Sequence, residues 1–165
     1  MRLLRPEDGA HLIEFFESHT PETIHNRYGY SIVRMSPERA AELVGVDQSR
    51  DAALGLFEGG AANERLVAVG RCCRLDREDT AEMAFVVHEE RRRLGMAGAL
   101  LRALASLMRH RGVTHLVAQV QQDNEAMLGL FHKAGAAVSA IGGTDGLKVS
   151  LSLPGTPSPP RPGRP

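Results

Sequence analysis

The spacing of hydrophobic residues along the chain switches several times between a period of two and a period near 3.6. Short runs rich in β-branched and aromatic residues predict strands, and apolar residues three or four positions apart predict helices. Strands are predicted at residues 2–5, 52–58, 66–75, 80–88, 115–120, 137–141 and 147–153. Helices are predicted to begin near Pro6, Pro21, Pro37, Leu94 and Asn124.

The connections between these elements predict the order of the sheet. Short loops join the three middle strands, which is typical of an antiparallel meander. A strand, a helix and a strand follow with short links, and such a unit is a right-handed parallel crossover in nearly all cases. We therefore expect residues 1–153 to form an α/β fold with a mixed, mostly antiparallel sheet and helices on both faces. Residues 154–165 hold no core-forming side chain and predict a disordered tail rich in Pro, Gly and Arg.

Composition excludes several classes of function. Lys+Arg and Asp+Glu both number 20 in the 165 residues, so the formal net charge is zero and no basic surface for nucleic acid is expected. No apolar run approaches the roughly 20 residues of a membrane helix, and the N-terminus lacks the apolar core of a signal peptide. Cys72 and Cys73 are adjacent and predict no disulfide framework. We expect a cytoplasmic protein without a metal, as a monomer or a homodimer.

The segment Phe85–Leu101 holds the clearest chemical signal. It has the pattern of a buried strand, a basic turn and a helix, with Gly95 and Gly98 where the helix begins. Glycine lets backbone approach a ligand closely, and the first N–H groups of a helix have no partner within the helix. Together with the positive end of the helix dipole, these groups favour an anion, above all phosphate. The sequence therefore predicts a phosphate-binding turn.

Two motifs in and after this segment resemble the GNAT family of N-acetyltransferases. Arg92-x-x-Gly95-x-Ala97 is similar to the family's pyrophosphate signature, Arg/Gln-x-x-Gly-x-Gly/Ala. The segment from Asn124 to Gly135 is similar to a second family motif, Asn-x-x-Ala/Met-x-x-Leu-Tyr/Phe-x-Lys-x-Gly. The resemblance covers about residues 2–153 and implies acetyl-CoA as co-substrate, with Asn124 on its pantetheine arm. It also implies contacts of the coenzyme's diphosphate with the turn at Arg92, Arg93, Leu94, Gly95, Ala97 and Gly98.

The resemblance further implies which residues carry the chemistry. Backbone N–H groups near Val86 and Val87 would polarise the thioester carbonyl. Glu82 is the candidate base, because a lysine amine is mostly protonated near neutrality and a carboxylate can take its proton. On a strand Glu82 shares a face with Val86, so we expect partial desolvation of its carboxylate. A solvated carboxylate, or an ion pair with Arg71 or Arg74, is the structural alternative.

Three aromatic positions bear on the other steps of such a reaction. Many members of the family protonate the leaving thiolate with a tyrosine at the position of Phe131, and a phenylalanine cannot do so. Water, since thiol pKa values are moderate, or another group such as Tyr28 or Tyr30 would then supply the proton. Tyr28 and Tyr30 are candidates for one wall of an acceptor site, with ordinary surface packing as the structural alternative.

A narrower resemblance concerns the acceptor. The segments from Ser18 to Thr23 and from Thr80 to Val87 resemble the acetyltransferase domain of bacterial Pat-type protein lysine acetyltransferases, which modify acyl-CoA synthetases. We therefore expect transfer of an acetyl group from acetyl-CoA to a primary amine, with a protein lysine, such as one on an acyl-CoA synthetase, as the leading acceptor. A small-molecule amine and a non-catalytic acyl-CoA sensor or interaction module are the alternatives.

Overall fold

The strands and helices follow one another along the chain in an order close to the predicted one. The computed structural model describes residues 1–28, 34–60, 63–77, 79–143 and 145–154. The strands in these ranges are β1 (Arg2–Leu3), β2 (Ala52–Glu58), β3 (Arg65–Arg74), β4 (Thr80–Val87), β5 (His115–Gln121), β6 (Ala137–Ala140) and β7 (Gly146–Ser152). The helices are α1 (Gly9–Glu17), α2 (Pro21–Tyr28), α3 (Pro37–Val44), α4 (Met96–His110) and α5 (Glu125–Lys133). Within these ranges, none of the helices is both long enough and apolar enough to cross a bilayer.

The strands form one sheet in the order β1-β2-β3-β4-β5-β7-β6. Neighbouring strands in this order are antiparallel except for β4 and β5, which are parallel because α4 crosses over between them. The mixed, mostly antiparallel α/β fold that the sequence predicts is thus confirmed. The meander of β2, β3 and β4 and the crossover from β4 through α4 to β5 are also where the loop lengths placed them.

Each face of the sheet carries its own hydrophobic cluster. On one face α4 and α5 bury Leu104 and Phe131 against the central strands. On the other face α1 and α3 pack against β2 and β3, and Phe15 is one of the side chains buried there. Alternation along β4 sends Phe85 to the first cluster and Val86 to the second. Burial of one such side chain stabilises the fold by roughly 1.5–3 kcal/mol. The apolar side chains on the two faces of the sheet therefore hold each helix on its own face.

Polar side chains cap the starts of two of the helices. The hydroxyl of Thr20 accepts a hydrogen bond from the N–H of Thr23 at 3.3 Å, at the start of α2. The hydroxyl of Ser36 accepts from the N–H of Arg39 at 3.2 Å, at the start of α3. Each bond satisfies one of the N–H groups that a helix start leaves without a partner.

The N-terminal elements differ slightly from the predicted ones. The segment Pro6–Asp8 is a short 3₁₀ turn, and the α-helix begins only at Gly9. The buried carboxylate of Asp8 accepts from the backbone N–H of Arg5 at 2.7 Å and from the guanidinium of Arg2 at 2.7 and 2.8 Å. Because Arg5 uses its N–H to close this turn, β1 ends at Leu3 instead of continuing to residue 5.

The two parallel strands diverge at the centre of the sheet. Their register runs only from Thr80 opposite His115 to Glu82 opposite Val117. Beyond that point β4 continues to Val87 in register with β3, and β5 continues in register with β7. A gap therefore opens between β4 and β5, and the backbone groups on its two edges have no partner strand.

Candidate functional site

A turn of uncommon backbone conformation connects β4 to α4. After a short 3₁₀ turn at Glu89–Arg91, Arg93 (φ 64°) and Gly95 (φ 78°) both adopt left-handed conformations. Within the described ranges Arg93 is the one residue other than glycine with a positive φ. This conformation costs roughly 1–2 kcal/mol outside glycine, and such strain clusters at ligand sites. The left-handed Gly95 cannot continue a helix, so α4 begins at Met96 and not, as predicted, at Leu94.

The start of α4 presents its backbone N–H groups to open space. Gly95 occupies the N-cap position, and no side chain caps the helix there. A Cβ atom on Gly95 would meet no heavy atom within 4 Å, so glycine is needed for its φ and not for want of room. The uncapped N–H groups and the positive end of the helix dipole suit an anionic ligand.

A cavity of about 760 Å³ lies in front of this helix start. Its wall comes from the end of β4, from the turn with the first residues of α4, and from the segment that enters α5. The predicted residues that line it are Val86, Val87, Arg92, Arg93, Gly95, Ala97, Gly98 and Asn124. The wall also contains residues that the sequence did not single out, among them Thr23, Arg91, Met127 and Lys133. The predicted Leu94 is not part of the wall, because its side chain is 66% exposed on the turn.

Asn124 combines a structural role with a place in the cavity wall. Its Oδ1 atom accepts from the N–H of Met127 at 3.2 Å and caps α5. Its own N–H donates to the carbonyl oxygen of Gln121 at 3.0 Å. Because the cap uses the side-chain oxygen, the amide NH₂ is the group that can donate to a ligand.

Phe131 belongs to the core and not to the cavity. Its side chain is fully buried, and its ring centroid lies 6.2 Å from that of Phe85. This position, where many members of the family that the motifs resemble carry a tyrosine, therefore serves packing here.

A group of polar side chains, called here the Glu89 clamp (His19, Thr20, Thr23, Glu89 and Arg92), ties the turn to the start of α2. The carboxylate of Glu89 accepts from Nδ1 of His19 at 3.0 Å. It also accepts from the backbone N–H of Thr20 at 2.9 Å and from its hydroxyl at 3.1 Å. Arg92 donates to the hydroxyl of Thr23, and its guanidinium lies 3.9 Å from the Glu89 carboxylate. Two members of the clamp, Thr23 and Arg92, line the cavity.

The clamp sets the charge of its members. Partial burial raises the pKa of the Glu89 carboxyl, but hydrogen bonds from Thr23, Thr20 and His19 outweigh this and hold that pKa well below its usual range. Burial lowers the pKa of His19 by more than the contact with Glu89 raises it. His19 is thus neutral near pH 7. Because an ionised carboxylate can only accept a hydrogen bond, the proton of the neutral His19 ring lies on Nδ1, which faces Glu89. The buried Nε2 of His19 has no hydrogen-bond partner among the described residues.

Only part of this clamp is predictable from the sequence. Thr20 and Pro21 are recognisable as a helix start, and the segment from Ser18 to Thr23 resembles a Pat-type segment. The contacts of Glu89 with His19 and Thr20, however, join residues 70 and 69 positions apart. No local pattern predicts a pairing over that separation.

The three consecutive arginines of the turn have different surroundings. Arg91 donates to both oxygens of the Glu58 carboxylate, at 2.8 and 2.9 Å. Arg92 is held in the clamp. Arg93 lines the cavity and forms no ion pair with any residue that the structure describes, and Lys133 approaches the same cavity from the end of α5. Arg93 and Lys133 are therefore the cations best placed to meet an anion there.

Glu82 lies where β4 and β5 diverge, on the sheet face opposite α4. It is the last residue in register with β5, where it lies opposite Val117, and on its other side it is paired with Cys73 of β3. Its side chain is exposed, so the expected desolvation of this carboxylate is wrong. On this face α1 contacts β3 and α2 contacts β4, and these helices leave Glu82 open to solvent. Arg74 donates to the carbonyl oxygen of Arg111 at 2.7 Å instead of pairing with Glu82.

The remaining predicted residues lie at the end of α2. Tyr28 is the last residue of that helix, and its side chain and the whole of Tyr30 lie outside the described residues. Their place on an acceptor wall stays a prediction. In the described ranges no group of three or more His, Cys, Asp or Glu side chains is placed to hold a metal ion.

Comparison with known proteins identifies the family. The model of the acetyltransferase (GNAT) family matches residues 12–136, from α1 to the end of α5. The chain belongs to this family. It is an acetyltransferase, and the family uses acetyl-CoA as the acetyl donor.

Solved structures support the same fold. The GNAT domain of S. lividans PAT superposes with a TM-score of 0.84 at 24% identity, over 92% of this chain and 89% of that one. The acetyltransferase YncA from Salmonella typhimurium, solved with its cofactor acetyl-CoA, gives 0.74 at 20% identity, over 97% and 96%. A cAMP-binding acyltransferase from Mycobacterium smegmatis gives 0.59 at 24% identity, and the match covers 85% of this chain but 41% of that one. At these identities the likeness shows the fold.

Proposed function

We propose that this acetyltransferase modifies the amine of a protein lysine, with acetyl-CoA held in the cavity in front of α4. The observation that carries the proposal is the gap between β4 and β5. The cavity meets β4 at Phe85, Val86 and Val87, beyond the point where the strands part, and Glu82 lies at that point on the opposite face. A donor in the cavity and an amine on the Glu82 side would meet in the gap, and such positioning supplies a large part of a rate enhancement.

The cavity wall fits the chemistry of the donor. The left-handed turn and the uncapped start of α4 offer backbone N–H groups to a diphosphate. Arg93 and Lys133 add positive charge at the wall, and the amide NH₂ of Asn124 can donate to the pantetheine arm. Where β4 has no neighbour, N–H groups near Val86 and Val87 can donate to the thioester carbonyl, which draws electrons from its carbon.

Glu82 prepares the acceptor. A lysine amine has a pKa of about 10.4 in water, so only a small fraction is nucleophilic near neutrality. The exposed carboxylate of Glu82 takes a proton from the amine, directly or through one water, which is worth roughly 10²–10⁴-fold in rate. The amine nitrogen then bonds to the carbonyl carbon, the carbon–sulfur bond breaks, and the thiolate leaves. Because Phe131 is buried and has no exchangeable side-chain proton, the second proton of the nitrogen passes through water to the thiolate, and the moderate pKa of a thiol makes this transfer accessible.

The open surroundings of Glu82 favour a macromolecular acceptor. Sites for small molecules are usually enclosed clefts, whereas the described residues leave Glu82, Gln119 and Lys148 exposed on one sheet face. A protein substrate brings its own surface and presents a single side chain. The Pat-type likeness of the segments around Thr23 and Glu82, and the superposition on the domain from S. lividans PAT, support a protein lysine such as one on an acyl-CoA synthetase.

A thiol-release assay tests the proposal. Acetyl-CoA would be offered with a panel of proteins, including acyl-CoA synthetases, and with a panel of small amines, to the wild type, Glu82→Gln and Gly95→Glu. We expect protein acetylation that falls about 100-fold in Glu82→Gln, with affinity for acetyl-CoA retained. Gly95→Glu should lose that affinity, because it sets a carboxylate and a strained φ in the anion site. Turnover of small amines alone would refute the protein acceptor, and tight binding without any turnover would indicate a sensor.

A further inference from the structure

Lysine is rare in this chain. Two of the 20 basic residues are lysines, Lys133 and Lys148, and all others are arginines. A guanidinium stays protonated in proteins, so it does not accept an acetyl group. An enzyme that transfers acetyl groups to lysine therefore has two side chains of its own that could react. Their positions relative to the gap between β4 and β5 differ.

Lys148 lies on the same face of the sheet as Glu82. Along β7, Val149 and Leu151 are buried in the cluster beneath α4. Lys148 and Ser150 alternate with them and therefore point to the other face. The register confirms this, because Glu82 is opposite Val117 on β5, and Val117 is opposite Ser150 on β7. The side chain of Lys148 is exposed.

Lys148 is also level with the gap. The register of β4 and β5 ends at Glu82 and Val117, and Gln119 is the next residue of β5 on this face. Lys148 is paired with Gln119, so one strand spacing of about 4.8 Å separates its backbone from the edge of the gap. A flexible four-carbon side chain can cover that distance. Lys133, in contrast, stands at the end of α5 on the cavity side of the sheet.

We propose that Lys148 is a site of self-acetylation, with the acetyl group transferred within one molecule. This inference rests on the proposed function. Glu82 takes one proton from the ammonium of Lys148, the neutral nitrogen bonds to the thioester carbon, the carbon–sulfur bond breaks, and the second proton of the nitrogen passes through water to the leaving thiolate. The products are N-acetyl-Lys148 and coenzyme A. The modification removes the positive charge of Lys148 from the face on which an external acceptor would bind.

Mass spectrometry of the full chain after incubation with acetyl-CoA tests the proposal. The wild type, Lys148→Arg and Glu82→Gln would be compared, each with a heat-denatured sample as the control for direct chemical acetylation, and peptide mapping would locate the acetyl group. We expect one acetyl group on Lys148 in the wild type, and none on Lys133 in the wild type or in Lys148→Arg. Glu82→Gln should acquire the group about 100-fold more slowly. The fraction modified per unit time should not change on tenfold dilution, since the transfer is within one molecule.

The outcomes separate this inference from the function on which it rests. Labelling of Lys133 in place of Lys148, or equal labelling of the denatured chain, would overturn it. A rate proportional to protein concentration would overturn transfer within one molecule. If external proteins are acetylated while Lys148 stays unmodified, self-acetylation is wrong and the proposed function stands. If neither is acetylated although acetyl-CoA binds, both are wrong.

Discussion

Replacing Glu89 by glutamine removes one charge from the centre of the clamp and keeps the size of the side chain. The amide oxygen of the variant can still accept from both donors of Thr20. Its NH₂ group, however, meets the Nδ1–H of His19, so two donors face each other. If His19 moves its proton to Nε2, that buried nitrogen has no partner among the described residues. Either arrangement leaves a buried N–H group unpaired.

The size of the effect follows from these contacts. An unpaired buried donor costs about 1–3 kcal/mol. A hydrogen bond to a charged acceptor contributes about 1.5–3 kcal/mol to stability and one to a neutral acceptor about 0.5–1.5 kcal/mol, so the bonds from Thr20 also weaken. The side chain of Glu89 is 22% exposed, so we take a total of about 3 kcal/mol. For a chain of this length each kcal/mol lowers Tm by about 2–4 °C, which gives a fall of about 10 °C. Thr23 and Arg92 lose their support at the cavity wall, so KM for acetyl-CoA should rise several-fold while kcat changes less.

The matched control is Glu90→Gln on the same turn. The side chain of Glu90 is 67% exposed, and its nearest cation is Arg91 at 3.9 Å, so this variant makes the same charge change outside the clamp. Thermal and urea unfolding at pH 7 would be measured for both variants, with ¹⁵N shifts of the His19 ring to locate its proton. The reasoning fails if Glu89→Gln melts within about 1 °C of Glu90→Gln, or if His19 in the wild type carries its proton on Nε2.

Three further outcomes follow from single groups. Gly95→Ala and Gly112→Ala both place alanine at a positive φ in open space, so each variant should lose about 1 kcal/mol of unfolding free energy. In calorimetry, only Gly95→Ala should weaken the binding of acetyl-CoA. Phe131→Tyr should lose about 1–3 kcal/mol by burying a hydroxyl among apolar side chains and gain nothing in kcat; a faster enzyme would contradict this. The folded pKa values of Asp8 and Glu89 lie below their ordinary ones, so their stabilisation is complete above the unfolded values near pH 4 and is lost as the pH falls through the folded values. Urea unfolding between pH 6 and 2 should show this loss, with a shallower slope in Glu89→Gln.

Most of the fold could be predicted because its information is local. The bounds of β2, Ala52–Glu58, agree with the prediction, since a run of apolar residues there is followed by Gly59 and Gly60. The errors lie at helix starts. Leu94 has the right spacing for α4, but the left-handed φ of Gly95 excludes it from the helix. The 3₁₀ turn that replaces the predicted start at Pro6 likewise depends on a tertiary contact between Arg2 and Asp8.

The candidate site could be predicted less completely, for two physical reasons. The turn was recognisable because its glycines and its arginine are close in sequence, and the cavity wall contains most of them. The exposure of Glu82, in contrast, depends on which strands the helices of that sheet face cover. Strand alternation predicts the face to which Glu82 points, but it does not predict whether a helix covers that face. Thr23 and Lys133 come to the cavity from elements far from the turn, so no spacing within the turn points to them.

The turn connects two sides of the molecule, and the run from Arg91 to Arg93 shows how. A run of three arginines in a turn is usually a solvated charged surface. Here the first arginine is fixed on β2 by Glu58 and the second on the start of α2 by Thr23, while only the third remains at the cavity without an ion pair in the described part of the chain. Two of the three charges thus hold the left-handed backbone in place. Since a strained φ at Arg93 persists only where its surroundings fix it, anion binding at the cavity and the position of α2 depend on the same contacts.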